Sequence, residues 1–405
     1  MRPGRTGSRT LTPAPSQGER ELEALRAIAR KCVSHPSCSS PAPSPRGHGW
    51  GEGQVLHSPQ HARATSRFAI AALCSLIILF ASISLAQDPG LRFGGQIPPE
   101  VDTIYERGLT WLVAAQAEDG SWKGGNEGCG VDGICLMSFL ASGEDPNYGR
   151  YARTIRRAIR AIITKQDVTT GYLPNSMYHH GFATLALSEA YGVVDESLLW
   201  EGGKGVRTIG QALELAIGCA ATSQKKNKWN AWRYSPDATD ADTSVTGAML
   251  MGLLAARNAG LNVADETIDG AMEYMRRSTG KDGSVAYSGG FGGMGGSMNL
   301  TAISALVGAV TKTKSTEQYK ASLNRLLENL EHRESGSYAE YFRYYMAQAL
   351  FQGDYEAWQK WNGAKVRELH EMQRDDGSFT GGAYGTGMSL LGLALNYRFL
   401  PIYER

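Results

Sequence analysis

Three aspartates stand close together in the middle of the chain and are the first residues that suggest chemistry. Asp237, Asp240 and Asp242 lie within six positions, and a run rich in small apolar residues follows them. A carboxyl group that burial and neighbouring carboxylates keep protonated can act as a general acid. A short oxygen-bearing side chain can equally cap a helix, because it accepts hydrogen bonds from the free N–H groups of the first turn. The stretch therefore predicts either an acid site or a capped helix start.

Aromatic residues and a histidine stand at similar places, near the starts of predicted apolar helices. Aromatic rings and carboxylates together can line a site for a polyprenyl chain, a hopanoid-like lipid or a glycan. The same side chains also serve to cover turns or to cap helices, so a structural role stays open beside the binding role. The residues that we expect at the rim of a ligand site are Tyr178, His180, Trp232, Tyr234, Thr243 and Tyr384.

The elements that must hold these side chains are helical hairpins. Amphipathic segments, with apolar residues three or four positions apart, span residues 104–115, 155–163, 209–220, 268–275, 323–330 and 366–372. They alternate with almost wholly apolar segments at residues 133–140, 181–190, 245–256, 299–310, 341–350 and 386–395. This alternation predicts an all-α fold in which outer helices pack around inner ones, with a repeat of about 40–60 residues.

A recurrent turn joins each amphipathic segment to the apolar segment that follows. The first copy reads QAEDGSW from Gln116, the last reads QRDDGSF from Gln373, and degenerate copies lie between them. Glycine lets the chain take a conformation barred to other residues, and a terminal amide can bond the free backbone groups of the next helix start. The aromatic ring then covers that polar contact.

These turns resemble the QW repeats of the squalene-cyclase and protein-prenyltransferase superfamily. The pattern WRYSP…DTSVTG that starts at Trp232, and the ending YRFLPIY, are similar to short exported bacterial prenyltransferase/squalene oxidase repeat proteins. The resemblance covers about residues 98–400. It implies an α6/α6 toroid, in which six inner helices form a barrel inside six outer helices.

The resemblance also implies two chemistries, and the residues depart from both. Aligning Asp242 and Thr243 with the end of the cyclase D-x-D-D motif places Ala241 at the proton-donating position. Aligning Asp240 with the zinc-binding Asp of prenyltransferases places Asp242 where the Cys belongs, and residues 383–387 contain no His. We therefore predict no metal and no cofactor, and a non-catalytic domain that binds or scaffolds an apolar, isoprenoid-like or peptide ligand. The alternative is a terpenoid cyclase or a prenyltransferase-like enzyme that uses Asp237, Asp240 and Asp242.

The N-terminal region predicts export. Residues 1–66 are rich in Pro, Ser, Gly and Arg without an apolar period, which is typical of a disordered extension or of sequence upstream of the true start. Residues 67–87 have the layout of a signal peptide, with Arg67, the apolar run 68–86 and small residues before Gln87. We expect a periplasmic or extracellular toroid at residues 98–400, either released or anchored by residues 68–86, so that only this segment engages a membrane.

The net charge restricts the classes of partner, and the cysteine content restricts the possible disulfides. Ten of the 41 basic and four of the 40 acidic residues fall in the first 87 positions, so the rest of the chain carries a net charge of −5. A mildly acidic body argues against nucleic acid as a partner. The body contains Cys129, Cys135 and Cys219, which allow at most one disulfide, with the first two the nearest in sequence.

Overall fold

The computed structural model describes residues 97–124, 127–200, 207–288, 296–334 and 338–403. Within these ranges the chain forms helices and isolated bridges but no β-strand. The predicted all-α class is confirmed. The predicted N-terminal extension at residues 1–66 and the export signal at residues 67–87 lie outside the described residues.

The described residues form twelve α-helices, arranged as six successive hairpins. In chain order they are α1 (Pro99–Ala115), α2 (Cys129–Leu140), α3 (Ala152–Lys165), α4 (Met177–Ala190), α5 (Ile209–Lys226), α6 (Thr243–Asn258), α7 (Asp265–Ser278), α8 (Met298–Val310), α9 (Glu317–Leu327), α10 (Ala339–Gly353), α11 (Tyr355–Met372) and α12 (Gly382–Leu393). The odd-numbered helices carry the amphipathic segments, and the even-numbered helices carry the apolar ones.

The even-numbered helices form a closed inner barrel. Each packs against the next even-numbered helix along the chain, and α12 packs against α2. All residues of α2 are buried, which explains why this helix has no polar face. Glycines allow the inner helices to approach closely, since a Cβ on Gly181 of α4 would lie 2.8 Å from the backbone of Ala248 in α6.

Helix boundaries differ from the predicted ones where aromatic or polar residues begin a helix. The helix α11 starts at Tyr355, well before the predicted residue 366. Asp354 caps it by accepting a hydrogen bond from the backbone N–H of Ala357 at 2.9 Å. Trp358 and Trp361 are buried and extend the inward-facing apolar stripe toward the N-terminus. Large aromatics interspersed with charged residues concealed this part of the period in the sequence.

The glutamine turns connect neighbouring outer helices. The Nε2 group of Gln116 donates to Gly120 O in its own turn and to Thr154 O in α3, both at 3.0 Å. Gln166 and Gln224 make the equivalent pairs of bonds, to α5 and to α7. Each amide donates to a carbonyl of the next outer helix rather than capping N–H groups, so it ties two repeats together.

The last turn joins the end of the chain to its beginning. Gln373 Nε2 donates to Gly377 O and to Ile104 O in α1, both at 2.9 Å. Gly377 has a φ of +91° and lies against α1, where a Cβ would be 2.4 Å from the carbonyl oxygen of Arg107. Only glycine satisfies both the left-handed backbone and this close approach. The outer ring is therefore closed by the same contact that links successive repeats.

The C-terminal segment packs near the C-terminal ends of α4 and α2, where Phe399 lies against Gly143. Leu400 and Ile402 are buried, and the backbone N–H of Ile402 donates to Glu189 Oε2 in the last turn of α4 at 3.3 Å. This end of the barrel is thus partly covered by the protein's own chain.

The three cysteines of the described region are free and buried. Cys129 and Cys135 both belong to α2, six residues apart. At a rise of about 1.5 Å per residue they lie roughly 9 Å apart along the helix, beyond the reach of a disulfide. The pairing suggested by their nearness in sequence is therefore wrong, because helix geometry separates them.

Candidate ligand-binding cavity

An open cavity of about 550 Å³ lies at the N-terminal ends of the inner helices, opposite the covered end of the barrel. All six inner helices or their leading segments contribute to its wall, so the repeat itself places one short segment per hairpin around it. The lining residues that the structure describes are Gly130, Val131, Ile134, Ser176, Tyr178, His179, Tyr234, Ser244, Tyr287, Ser297, Asn299, Leu300, Glu334, Tyr338, Tyr341 and Tyr384.

Aromatic rings form the floor beneath the cavity. Tyr178 packs on Phe182 with 5.0 Å between ring centroids, and Phe182 packs on Tyr344 at 5.9 Å. Tyr345 contacts Tyr341 at 4.8 Å and Tyr344 at 4.9 Å. Since Phe182, Tyr344 and Tyr345 are buried, the barrel is filled below the first turn of the inner helices. The cavity is a bowl at one end of the barrel.

The tyrosines of the wall stay neutral at physiological pH. Burial raises the pKa of Tyr178, Tyr341 and Tyr384 above its ordinary value. These hydroxyl groups therefore remain able to donate a hydrogen bond. The wall offers aromatic faces together with neutral donors.

Two polar atoms of the wall are buried without a hydrogen-bond partner. Asn299, on α8, is 6% exposed and its Oδ1 atom has no partner among the described residues. Tyr341, on α10, is 7% exposed, and its hydroxyl group has no partner within 3.5 Å among the described residues, although it interacts with the hydroxyl groups of Tyr178 and Tyr345 at longer range. A buried polar atom without a partner is costly, on the order of 1–3 kcal/mol. Both side chains line the cavity, but each of these two atoms has less than 1 Å² of accessible surface, so a ligand reaches them only after a side-chain rotation.

His179 presents a donor to the same cavity. Its Nδ1 atom accepts a hydrogen bond from the backbone N–H of Gly130 at 3.2 Å. Burial lowers the pKa of His179, which favours the neutral ring. With Nδ1 acting as an acceptor, the proton of the neutral ring resides on Nε2.

A pair of tyrosines forms the side of the cavity nearest to the aspartate stretch. The hydroxyl groups of Tyr234 and Tyr287 are 2.8 Å apart. The guanidinium of Arg233 lies over both rings, 5.9 Å and 5.8 Å from their centroids. Burial and then the carboxylate of Asp242 raise the pKa of Tyr287. The pair therefore lies between the cavity and the buried carboxylate.

The three aspartates have separate environments. Asp237 is exposed and pairs with Lys226 at 2.6 Å. Asp240 is exposed and pairs with Arg233 at 2.7 Å. Neither residue lines the cavity. Two of the three carboxylates are thus held in surface ion pairs.

Asp242 is buried and caps α6. Its Oδ1 atom accepts hydrogen bonds from the backbone N–H groups of Ser244 at 2.7 Å and Val245 at 3.0 Å. The predicted capped helix start is confirmed. Its Oδ2 atom is buried and has no partner within 3.5 Å among the described residues, although the hydroxyl groups of Tyr234 and Tyr287 interact with the carboxylate at longer range.

Three of the predicted rim residues point away from the cavity. His180 accepts from the backbone N–H of Leu173 at 3.0 Å, and its other ring nitrogen lies 3.0 Å from Ala216 O. Trp232 is buried and donates through Nε1 to Ala220 O at 3.0 Å. Thr243 donates to Ala286 O at 2.7 Å. These three side chains form hydrogen bonds with backbone groups of neighbouring segments. Tyr178, Tyr234 and Tyr384, in contrast, line the cavity.

Sequence reasoning did not single out Asn299 or Tyr341 as site residues. Both occupy the starts of inner helices, α8 and α10, at places related by the repeat to Tyr178 in α4. The repeat was the signal that could have identified them.

The described residues also contain no group of three or more His, Cys, Asp or Glu side chains arranged to hold a metal ion. No helix within the described ranges is both long and apolar enough to cross a membrane.

The sequence matches no protein-family profile and finds no relative among curated proteins. Among solved structures, the fold is similar to an inactive variant of the alpha-1,6-mannanase GH76A of Salegentibacter sp. HEL1_6 in complex with alpha-1,6-mannotetrose. The TM-score is 0.53 at 9% identity, over 73% of this chain and 97% of the other. It is also similar to a variant of the type II terpene cyclase MstE from Scytonema in complex with its product, merosterolic acid A. There the TM-score is 0.52 at 13% identity, over 74% of this chain and 98% of the other.

These two similarities define the class of fold. Both neighbours are α/α toroids, and this chain is an α/α toroid as well. Sequence identities this low show a similarity of fold alone. The ligands bound in the two neighbouring structures are therefore properties of those proteins.

Proposed function

We propose that this toroid is a non-catalytic binding domain whose cavity takes an apolar, isoprenoid-like molecule that carries a hydroxyl group. The observation that carries the proposal is the open cavity of about 550 Å³ walled by tyrosines, Val131, Ile134 and Leu300. This volume falls within the range of about 300–1,000 Å³ that small-molecule sites occupy. Aromatic and aliphatic walls favour an apolar body over a charged one.

The polar part of the ligand follows from the two buried atoms without partners. The Oδ1 atom of Asn299 is an acceptor and requires a donor, and the hydroxyl group of Tyr341 can donate or accept. An alcohol supplies a donor and an acceptor in one group. A hydrocarbon would leave the Oδ1 atom of Asn299 without a donor, and a carboxylate would offer it no proton.

The placement of carboxylates supports binding without catalysis. Glycoside hydrolysis uses a pair of carboxylates on either side of the scissile bond. Among the residues that the structure describes, Glu334 is the only carboxylate in the cavity wall, and its Oε1 atom lies 3.1 Å from His332 Nε2. Asp237 and Asp240 are paired elsewhere.

The proposal includes a family and a location. The turns of Gln116 and Gln373, each with its glycine and aromatic residue, favour descent from the squalene-cyclase and prenyltransferase superfamily. The apolar run at residues 68–86 favours export to the periplasm or the exterior. A peptide remains the other ligand class that a cavity of this kind can admit.

The experiment measures binding of a matched pair of probes to the purified protein. Farnesene is farnesol less the elements of water, so it lacks the hydroxyl group and has one further double bond, and mannotetraose represents glycans. We expect farnesol to bind more tightly than farnesene by calorimetric titration or by native mass spectrometry. Tyr341→Phe should weaken farnesol binding roughly fivefold, because one neutral hydrogen bond contributes about 1 kcal/mol.

Tyr319→Phe is the matched control. Tyr319 also has a buried hydroxyl group without a partner, but it lies on α9, away from the cavity. If farnesol and farnesene bind equally, or if Tyr319→Phe weakens binding as much as Tyr341→Phe, the proposed recognition of the hydroxyl group is wrong. If mannotetraose binds and neither isoprenoid does, the proposed ligand class is wrong.

A second candidate function is a terpenoid cyclase or prenyltransferase-like enzyme that uses Asp237, Asp240 and Asp242. One observation favours it, namely the buried carboxylate of Asp242, whose Oδ2 atom has no partner within 3.5 Å among the described residues and which interacts with the Tyr234–Tyr287 pair. Incubation with squalene or geranylgeranyl diphosphate, followed by product analysis, tests this activity. Asp242→Asn retains an acceptor for the helix cap, so a product lost in this variant supports the enzyme, whereas the absence of product from the unaltered protein contradicts it.

A further inference from the structure

The turn between α7 and α8 lacks the glutamine that ties neighbouring outer helices together at other junctions. Thr279 directly follows α7 and pairs across its turn with Val285. In the same way, Gln116 directly follows α1 and pairs with Trp122. Thr279 therefore occupies the glutamine position. Its Oγ1 atom donates to Met275 O at 2.9 Å, within its own helix rather than to α9.

The helix α9 nevertheless lies on this turn in the register seen at the other junctions. A Cβ on Gly283 would be 2.2 Å from the carbonyl oxygen of Ala321 in α9. The corresponding distance from Gly120 to the carbonyl oxygen of Arg157 in α3 is 2.3 Å. The two outer helices thus dock alike, and they differ in whether an amide then bonds to them.

A groove of about 220 Å³ lies at the place of the missing amide, along α7, α8 and α9. In α3 the carbonyl that receives the glutamine amide belongs to Thr154, three positions before Arg157. The position three before Ala321 in α9 is Gln318. Both Thr279 and Gln318 line the groove. The outer ring therefore lacks its usual hydrogen bond between α7 and α9.

The buried face of α9 is small and partly unsatisfied. Of its 11 residues, Tyr319, Ser322 and Leu326 are buried. The hydroxyl groups of Tyr319 and Ser322 have no hydrogen-bond partner within 3.5 Å among the described residues, and burying such a group is costly. The helix α3 buries eight of its 14 residues, including Ile155 and Ile162. Burial therefore holds α9 less firmly than it holds α3.

The segment after α9 leads directly to the cavity wall. Glu334, which lines the cavity, follows the last residue of α9 by seven positions. His332 stands at the glutamine position of this repeat, and its Nε2 atom lies 3.1 Å from Glu334 Oε1 in the same segment. Its ring contacts Phe342 of α10, with 5.4 Å between ring centroids. We call residues 317–334 the α9 strap.

Two ion pairs also join the α9 strap to other elements. Arg325 pairs with Asp282 at 3.4 Å, and Arg333 pairs with Glu368 at 3.7 Å. Water reaches both pairs, since the side chain of Asp282 is 64% exposed and that of Arg333 is 70% exposed. Exposed pairs of this kind contribute little to stability.

We propose that the α9 strap opens as a local unit while the rest of the ring stays folded, and that its opening moves the Glu334 side of the cavity wall. Segments with few buried contacts open at a lower free energy than the whole domain. The neighbouring inner helix α10 stays in place, because it packs against both α8 and α12 in the barrel. The cavity therefore has one movable wall in an otherwise fixed ring.

The test is hydrogen–deuterium exchange of the purified full chain, measured by mass spectrometry without a ligand. We expect the backbone amides of the α9 strap to be less protected than those of α3 by at least roughly 25-fold. The reason is that α3 has an amide bridge on each side, from Gln116 and to α5 from Gln166, and one neutral hydrogen bond contributes roughly fivefold. This comparison requires no variant.

Thr279→Gln supplies the missing amide, and Thr279→Glu is the matched control. The glutamine can donate to Gln318 O, so it should slow exchange in the whole strap, including residues 328–334, roughly fivefold. A glutamate has the same length but no N–H group, so it should not slow exchange. Exchange in α3 should stay within about twofold in both variants, because a local bridge does not protect a distant helix.

Circular dichroism and the thermal midpoint establish that both variants are folded. Protection of the α9 strap as high as that of α3 in the unaltered chain overturns the proposal. So does a folded Thr279→Gln that slows the strap no more than Thr279→Glu does. Slowing that is confined to α9 and leaves residues 328–334 unchanged contradicts the movable wall. All of these measurements use the protein without a ligand, so none of them depends on the ligand proposed for the cavity.

Discussion

Gln373 closes the ring of outer helices, and replacing it by alanine should weaken the link between the last repeat and the first. Its amide is the described side-chain donor to both Ile104 O and Gly377 O. Gln373→Ala removes both hydrogen bonds and leaves the backbone on either side in place. The variant therefore isolates the contribution of the amide to closure.

The expected loss follows from these two contacts. A buried neutral hydrogen bond contributes about 1 kcal/mol net, so two contribute about 2 kcal/mol to the free energy of unfolding. For a domain of about 300 residues, that loss lowers the thermal midpoint by about 3 °C. Gln373→Glu should cost at least as much at neutral pH, because a carboxylate would face two carbonyl oxygens without a proton to donate. Part of that loss should be recovered in acid, where the carboxyl group is protonated.

The assay is urea unfolding followed by circular dichroism, with Gln359→Ala as the control. Gln359 lies on α11, which ends just before Gln373, and is exposed, with no side-chain hydrogen bond among the described residues. We expect this control to differ from the unaltered protein by less than about 0.5 kcal/mol. If Gln373→Ala is as stable as Gln359→Ala, the amide bridge adds nothing to closure, and the explanation given for the glutamine turns is wrong.

Three further predictions concern the turn glycine, a buried histidine and the helix cap. Gly377→Ala should destabilise the protein more than Gly192→Ala. Both residues have positive φ, but only at Gly377 would the added Cβ lie 2.4 Å from a backbone atom, the carbonyl oxygen of Arg107. Urea unfolding of the two variants measures the difference. Burial lowers the pKa of His180 to about 4, so the unfolded state binds more protons than the folded state between about pH 4 and pH 6.5. The free energy of unfolding should therefore fall as the pH falls through this range. His180→Gln should lose this pH dependence when unfolding is measured across the same range. Asp242→Ala should lower the free energy of unfolding by about 1–2 kcal/mol, because the helix cap is lost. Asp242→Asn should lower it by less, because the amide oxygen still accepts hydrogen bonds from the backbone. Equal losses in the two variants would contradict the capping role.

The layered architecture could be predicted from the sequence because it depends on local periodicity. An amphipathic segment such as α3 and an apolar segment such as α2 differ in the residues that occupy three- and four-residue spacings, and this difference is present within a single helix. The turns at Gln116 and Gln373 could be found for the same reason, since each motif fits within seven positions. The partners of these glutamines could not be found, because Thr154 is 38 positions from Gln116 and Ile104 is 269 positions from Gln373.

The candidate cavity could be placed at the starts of the inner helices, but the residues that face it could not all be identified. Tyr178 and His180 are two positions apart on α4, yet Tyr178 lines the cavity while His180 bonds to Ala216 O in α5. Neighbouring positions on a helix differ in direction by about 100°. The rotation of α4 about its axis is set by packing against several other helices, so the sequence of α4 alone does not determine it.

The sequence by itself determined that this chain builds helical hairpins, that small and apolar residues belong to the inner layer, and that Asp242 starts a helix. Only the tertiary structure decided what the aspartate stretch presents to a ligand. The ring of inner helices brings Asn299 and Tyr341 to the wall of one cavity, while Asp237 and Asp240 pair with Lys226 and Arg233 outside it. The physical reason is that capping and periodicity are set by neighbours in the chain, whereas the composition of a cavity wall depends on helices that meet only when the ring has closed.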